Sequence, residues 1–435
     1  MNLSKLHAYT YDKELYHKES PMPEEYMNSS GKLIFYCVST GTYFPIANAR
    51  IRIYSSEDPE TIIEEVTTDE SGQSRIIELP APPVELSLDE NYDGAPYSVY
   101  NYSIYADGYE PQEIEFAAIL PDETEIQTVQ LIPVTEGFGS EIIIIPPHTL
   151  YGNYPPKTEE AEVKPIEETG EIVLSRVVIP EYIVVHDGIP SDYSASNYYV
   201  RYTDYIKNVL ACEIYSTWPE STIYANALAI MSFTLNRVYT EWYRNKGYSF
   251  TITSSTAYDQ KFVYGKSIPA NIDRIVDSIF ANYLSKPGIT QPLFTSYCDG
   301  KNTYCNGLSQ WGSKNLGERG YSAIGILRYY YGSDIYINST TYISGVPSSF
   351  PGYSLTIGST GNKVTQLQRQ LNTIANYYPA IPKIVADGFY GQKTADSVKV
   401  FQRTFNLGVS GITDYPTWYA VSRIYVGVTD ISEPF

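Results

Sequence analysis

The spacing of apolar residues changes twice along this chain of 435 residues, which limits it to several unlike domains. From Gly31 the apolar positions alternate: Leu33, Phe35 and Cys37, then Ala49, Ile51 and Ile53, then Tyr100, Tyr102, Ile104 and Ala106. A period of two is the repeat of a strand that buries one face. Turn formers such as Asp69-Glu70-Ser71-Gly72 and Asp107-Gly108 separate these runs. Residues 31–134 therefore predict a β-sandwich of about seven strands, preceded by a polar tail over 1–30. From Pro180 the period lengthens. Leu228, Met231, Leu235, Val238 and Trp242 make one stripe of a helix, with Pro219 just inside its start. Ile272, Ile275, Val276, Ile279 and Tyr283 predict a second helix, and Ile324, Leu327 and Tyr331 a third. Short segments such as SFTITSS, PLFTSYC and EYIVVHDG read as strands between them, so 181–340 predicts a central α+β domain.

Residues 135–180 read as a linker. Pro146-Pro147 and Pro155-Pro156 block helix and central-strand pairing, and the acidic run from Glu159 to Glu171 favours an extended, solvated chain. At the other end, Val364, Leu367 and Leu371, then Val398, Phe401 and Phe405, predict a small three-helix module over 350–428.

Charge and composition exclude some functions. A formal net charge of -20 argues against a nucleic-acid binder and against docking on an anionic membrane surface. No apolar run is long enough to span a membrane, and the polar N-terminus has no apolar core of a secretory signal. The expectation is a chain made in a cytosol that stays there, or reaches its site outside the general secretion route. Tyrosine is abundant, 44 residues against 14 phenylalanines, and suits either sugar and peptide surfaces or wet strands.

Three resemblances follow from particular motifs. PIANARIRIYS, TTDESGQ and YSIYADGYEP resemble the transthyretin-like or carboxypeptidase-regulatory-like sandwich, which implies a structural or inhibitory module. Gly358, Gly361, Val364, Leu367, Gln368 and Leu371, followed by Asp387-Gly388, Phe389, Gly391, Thr394, Val398, Phe401, Gln402 and Trp418, resemble the small peptidoglycan-binding domain of bacterial wall enzymes. Binding is expected on its loop face, at Asp387, Gly388, Tyr390 and Gly391, with a helix capped near Thr394. Finally, ACEIYSTWPE, STAYDQKFVYG and NGLSQWGSKNLGERG resemble, in order, the catalytic domain of stage II sporulation protein D and related lytic transglycosylases.

That last resemblance implies Glu213 as the catalytic acid and base, with Tyr258, Gln260, Tyr297, Asp299, Ser309, Gln310 and Trp311 in substrate binding. If the Glu213 carboxyl lies against Val209, Leu210 and Ile214, desolvation raises its pKa. One carboxylate suffices for a transglycosylase, because the muramoyl C6 hydroxyl replaces water as nucleophile; hydrolases need a second. Members of that family also carry histidines and cysteines near the turn of the third block, Leu308-Ser309-Gln310-Trp311-Gly312 here, and some bind zinc there. Here Cys298 and Cys305 have only His186 as a further candidate ligand in sequence, and zinc needs four. A disulfide or two free thiols are favoured, with no metal and no cofactor. The whole order of segments resembles the clostridial spore cortex-lytic enzymes. This implies cortex peptidoglycan as substrate, a zymogen made in the mother cell and placed at the spore cortex, and activation by a subtilisin-like germination protease cutting within 135–180. Two alternatives stand beside it: a non-catalytic peptidoglycan-binding spore protein, and an N-acetylmuramoyl-L-alanine amidase.

Overall fold

The computed structural model describes residues 29–134, 139–147, 150, 157–163, 176–344 and 350–429. The N-terminal region is sheet-rich. Strand β1 (Ser29–Ser39) is followed by β2 (Arg50–Ser55), β3 (Ile62–Thr67), β4 (Ile77–Ala81), the short helix α1 (Glu85–Leu88), β5 (Ser98–Tyr105), β6 (Gln112–Ile119), β7 (Thr124–Leu131) and β8 (Glu141–Ile144). One sheet has β1 between β4 and β7, and the other runs β3-β2-β5-β6-β8. The alternating residues seen in sequence meet between them: Leu33, Phe35 and Cys37 share a core with Ile51, Ile53, Tyr102 and Ile104. The rings of Phe35 and Tyr102 meet edge to face at 5.0 Å.

Strand β8 lies inside the segment expected to be linker. It pairs in parallel with β6, with Ile114 opposite Ile143. Ile143 and Ile145 are buried while Ile142 and Ile144 face outward. Four consecutive isoleucines hide a period of two, because both faces of the strand read as apolar.

The middle region is mixed. It comprises β9 (Tyr182–His186), β10 (Asn197–Arg201), α2 (Tyr202–Glu213), α3 (Glu220–Tyr239), β11 (Ile252–Thr253), β12 (Ile268–Pro269), α4 (Ala270–Ile279), β13 (Asn282–Ser285), β14 (Tyr297–Cys298), β15 (Leu308–Ser309), α5 (Gln310–Glu318), α6 (Ala323–Tyr331) and β16 (Tyr336–Ser339). Helix α3 is the hub, buried on most sides rather than along one stripe. Its alanines, Ala225, Ala227 and Ala229, are fully buried. Pro219 stands just before the helix, and Trp242 lies beyond its end. Tyr283, expected on the second helix, belongs to β13. Helix α2, which carries Glu213, gave no clear stripe in sequence because Lys207 and Asn208 sit on its buried face. The Lys207 ammonium is paired there with Asp273 at 2.7 Å and Asp277 at 2.8 Å.

The C-terminal region is helical: α7 (Asn362–Ile374), α8 (Gln392–Thr404) and α9 (Tyr415–Thr429) enclose Val364, Leu367, Leu371, Val398, Phe401 and Trp418. The three regions interlock. Tyr378 donates to the Tyr43 carbonyl at 2.8 Å, Asn406 donates to Asp273 at 2.8 Å, and a cavity of about 430 Å³ between them is lined by Tyr36, Thr128, Lys207, Tyr264 and Arg423, among others.

The N-terminal sheets also join the middle region directly. Ile268 and Pro269 of β12 extend the first sheet by pairing with Ile126 and Glu125 of β7. Two acids sit at this joint. Glu125 is buried, and burial lifts its pKa to about 7 against the pull of Lys266 and a hydrogen bond from Ser267. Glu123 also rises to about 7, from burial and then from Glu125, with Arg274 opposing. Asn271 donates to Glu123 at 3.1 Å. Raised acids favour the joined state while protonated, so their contribution is full below the usual carboxylate range and is lost as pH rises through about 7. The melting temperature of the full chain should fall between pH 5 and pH 8. The double variant Glu123→Gln/Glu125→Gln should flatten that slope, which differential scanning calorimetry across pH measures.

Candidate active site

Glu213 is the last residue of α2, where the chain turns to an extended Ile214. Ending the helix there projects the side chain toward two other elements. The Lys261 backbone N–H donates to Oε1 at 2.9 Å, Gln310 Nε2 donates to Oε2 at 2.9 Å, and the Tyr297 hydroxyl lies 3.4 Å from Oε1. The half-buried carboxyl is thus ringed by donors, and the apolar wall imagined from its sequence neighbours is not what meets its oxygens. Tyr297 reaches it from β14 and Gln310 from the first turn of α5. These two are brought together because β14 and β15 pair in parallel, Tyr297 opposite Leu308. Burial, and then the Glu213 charge, hold the Tyr297 hydroxyl far above the usual tyrosine pKa, so it is a protonated donor.

The third donor depends on a loop fixed at three points. Asn208, on α2, donates to the Val263 carbonyl at 2.7 Å and accepts from the Val263 N–H at 2.9 Å. Gln260 is fully buried and accepts from Tyr205 at 3.0 Å and Thr234 at 2.8 Å. These bonds hold the loop from behind. Asp259 is the third anchor. Its carboxylate accepts from Arg237 Nε at 2.6 Å, Tyr243 at 2.6 Å, and the Thr253 N–H and hydroxyl at 2.9 and 2.7 Å.

The remaining sequence candidates do not meet the Glu213 carboxylate and make other contacts. Asp299 accepts the backbone N–H groups of Lys301, Asn302 and Thr303 at 2.7 to 3.2 Å, shaping the loop closed by the Cys298–Cys305 disulfide. Ser309 caps α5 by accepting from Gly312 at 3.0 Å. Trp311 is buried, its ring 4.8 Å from that of Trp218. Tyr258 is exposed and lends its carbonyl to Arg237 at 3.0 Å. With both sulfurs in the disulfide, Cys298 and Cys305 offer no thiolate pair. His186 bonds to Asn197 at 2.9 Å and stacks on Phe250. No group of three or more potential metal ligands occurs among the described residues.

Sequence reasoning missed the group around Arg237. This side chain, on the buried helix α3, is 0% exposed and makes a bidentate pair with Glu160 at 2.7 and 2.8 Å besides its bond to Asp259. A signal existed: an arginine in the apolar run LNRVY needs a carboxylate when buried. Glu160 belongs to residues 157–163, inside the segment read as a solvated linker. Those residues lie on the middle region instead. Thr158 N–H donates to the Ala257 carbonyl at 2.8 Å, Phe294 N–H donates to the Glu162 carbonyl at 2.8 Å, and Lys286 pairs with Glu162 at 2.6 Å.

In the C-terminal region, Gln368 organises the expected loop. Its Nε2 donates to Asp387 at 3.1 Å and to Thr394 at 3.1 Å, while its Oε1 accepts the Gly388 N–H at 2.9 Å. Gly388 has φ +75°, and a Cβ there would meet the Thr365 hydroxyl at 2.7 Å. Gln402 repeats the device, accepting from Gly411 at 2.8 Å and donating to Thr417 at 3.1 Å. Tyr390 is core, donating to the Gly411 carbonyl at 3.0 Å, and Thr394 lies inside α8, whose cap is Gly391. Phe389, between them, is 52% exposed.

Residues 360–421 match the family described as "Putative peptidoglycan binding domain". No curated protein matches the chain. Among solved structures, the SleB N-terminal domain is 25% identical, with TM-score 0.16, covering 18% of this chain and 97% of that one. GBS52, the minor pilin of Streptococcus agalactiae, is 16% identical with TM-score 0.16, covering 24% of this chain and 45% of that one. Chlorocatechol 1,2-dioxygenase from Pseudomonas putida is 14% identical with TM-score 0.15, covering 24% and 60%. At these TM-scores none of the three describes the fold of the whole chain. The chain therefore carries a peptidoglycan-binding domain at its C-terminal end, joined to a middle region whose chemistry rests on its own geometry.

That geometry depends on the buried ion cluster. Glu160→Gln leaves the Arg237 charge with one carboxylate in place of two, and breaking such a buried pair costs about 3 kcal/mol. Calorimetry of the Glu160→Gln protein should show the transition of the middle region several degrees lower. Trypsin should cut it earlier near Lys157.

Proposed function

We propose that the chain is a peptidoglycan lytic transglycosylase of the spore cortex, held latent by its N-terminal sheets. The observation that carries the chemistry is that, among the described residues bonded around this site, Glu213 is the carboxylate not enclosed by architecture. Glu213 is half-buried; Asp259, on the loop that reaches it, is fully buried with four donors at 2.6 to 2.9 Å, and Asp299 is committed to three backbone N–H groups. An acid so committed cannot serve as a nucleophile or activate water.

One carboxylate is enough for an intramolecular route. Protonated Glu213 gives its proton to the glycosidic oxygen as the bond from C1 to that oxygen breaks. The resulting carboxylate takes the proton of the muramoyl C6 hydroxyl as O6 bonds to C1. The glutamic acid is regenerated and the product is a 1,6-anhydro sugar. Tyr297 and Gln310 hold the carboxylate form between the two transfers, and the Lys261 N–H fixes its plane. An amidase reading lacks support of this kind, since no group of three or more potential metal ligands occurs among the described residues and His186 is buried, bonded through Nδ1 to Asn197 and stacked on Phe250. The non-catalytic reading would give Glu213 the architectural role that Asp259 has, and glycan release separates the two.

The latency reading rests on contacts of α1 and its neighbours. Trp218 Nε1 donates to the Ser87 carbonyl at 3.0 Å, Lys314 to the Leu88 carbonyl at 2.7 Å, and Lys301 reaches Asp93 at 3.4 Å. Lys314 and Lys301 are near Gln310 and Asp299 in sequence, so the α1 segment of the N-terminal region packs beside the elements that carry the site. An activating protease, of the subtilisin-like class implied by the resemblance, would cut within 135–180 but outside the packed residues 141–145 and 157–163. The C-terminal domain keeps the enzyme on insoluble wall and raises its effective concentration there.

Glu213→Gln should fold and bind peptidoglycan as the wild type does, yet lose at least about 10²-fold in glycan release, the usual worth of a general acid. Dye-labelled cortex fragments give the rate and sedimentation gives the binding. Near-wild-type release would remove Glu213 from the mechanism.

A further inference from the structure

Residues 157–163 carry a side chain into the site that no motif marked. Lys157 donates to the Asp259 carbonyl at 3.2 Å, and its ammonium lies over the Tyr297 ring, 4.1 Å from the centroid. It is also 5.9 Å from the centre of Phe233. Tyr297 is the residue whose hydroxyl points at Glu213, so the ammonium and the carboxylate flank one aromatic ring. Lysine has three donors, and among the described residues one of them has a hydrogen-bond partner.

The placement is built rather than incidental. Glu160, three residues on, is locked bidentately to a wholly buried Arg237, and backbone bonds from Thr158 and to Glu162 pin the chain on either side. Removing such a segment would strand buried charge, so it stays with the middle region whatever happens to the N-terminal sheets.

We propose that Lys157 is a substrate-binding residue of the Glu213 site, its ammonium donating to a carbonyl or carboxylate oxygen of the sugar held beside Glu213. In peptidoglycan that oxygen belongs to an N-acetyl group or to the lactyl group of muramic acid. The proposal rests on the glycan-cleaving reading of Glu213. The groups that face the ammonium are Glu213 from α2, Arg237 from α3, Asp259 from the loop and Tyr297 from β14. Burial pushes its pKa below the ordinary lysine value, with Glu213 and Asp259 pulling the other way and Arg237 adding to the fall. Binding should therefore weaken at alkaline pH as the proton leaves, and an arginine in its place should hold on.

The test uses the full chain, intact and after limited proteolysis, in whichever form binds soluble glycan. Fragments with a free lactyl carboxyl and fragments with that carboxyl amidated by peptide are titrated against Glu213→Gln protein with and without Lys157→Met. A loss of ten-fold or more in affinity on Lys157→Met is expected. If it falls only on the free-acid fragments the partner is the lactyl carboxylate; if it falls on both, the N-acetyl carbonyl. In turnover, Lys157→Met should raise KM more than it lowers kcat, and Lys157→Arg should restore KM and move the alkaline limb upward. Unchanged affinity on Lys157→Met, or no glycan binding by any form, overturns the proposal. A wild-type chain that binds glycan through Lys157 but releases none would instead contradict the cleavage reading alone.

Discussion

The Arg237 guanidinium is the point on which the middle region turns. It sits on α3, the helix that every neighbouring helix packs against, and it is completely withdrawn from water. A buried cation is expensive unless matched, and here two carboxylates match it from opposite sides of the sequence: Asp259 at 2.6 Å and Glu160 at 2.7 Å. Apolar residues of the same volume would stabilise the core as well or better, so the gain is positional. Asp259 fixes the loop whose Lys261 N–H reaches Glu213, and Glu160 fixes the segment that presents Lys157. One charge thereby registers two otherwise unrelated stretches of chain against the same carboxylate.

This arrangement also sorts the acids. Asp259 is saturated by four donors and spends its charge on architecture. Glu213 is half-buried at the end of α2, with donors at 2.9 to 3.4 Å. In this account two neighbouring carboxylates do not make a hydrolase pair, because one of them is already neutralised and enclosed. On the proposed reading, the chemistry left to the site is the kind that needs one acid and a nucleophile supplied by the substrate.

The sequence made some of this legible and concealed the rest for identifiable reasons. Alternation exposed the N-terminal strands, where one face meets the core and the other meets water. It failed at β8, where four isoleucines erase the contrast. The helical stripes of the C-terminal region were plain, and residues 360–421 match a peptidoglycan-binding family. Helix α3 was visible as a stripe, though a helix buried all round carries more than one. Tyr297 and Gln310 were read as site residues and do meet Glu213. Gln260 and Asp299, expected in substrate binding, hold loops, and Tyr390, expected on the loop face of the C-terminal domain, lies in its core, because a motif records spacing and not the direction a side chain takes. Lys157 and Glu160 escaped notice because prolines and acids make a segment look solvated, while the partner that recruits them, Arg237, is 77 residues from Glu160.

The central claim is that one carboxylate, without a second acid or an activated water, cleaves the glycan strand. Mass spectrometry of the fragments released from purified cortex by the proteolysed chain tests it most directly. The account predicts that new muramoyl ends are one water lighter than hydrolysis products and resist borohydride reduction, as 1,6-anhydro ends do. Reducible muramoyl ends, or glycan strands left whole with free peptides released, would contradict it.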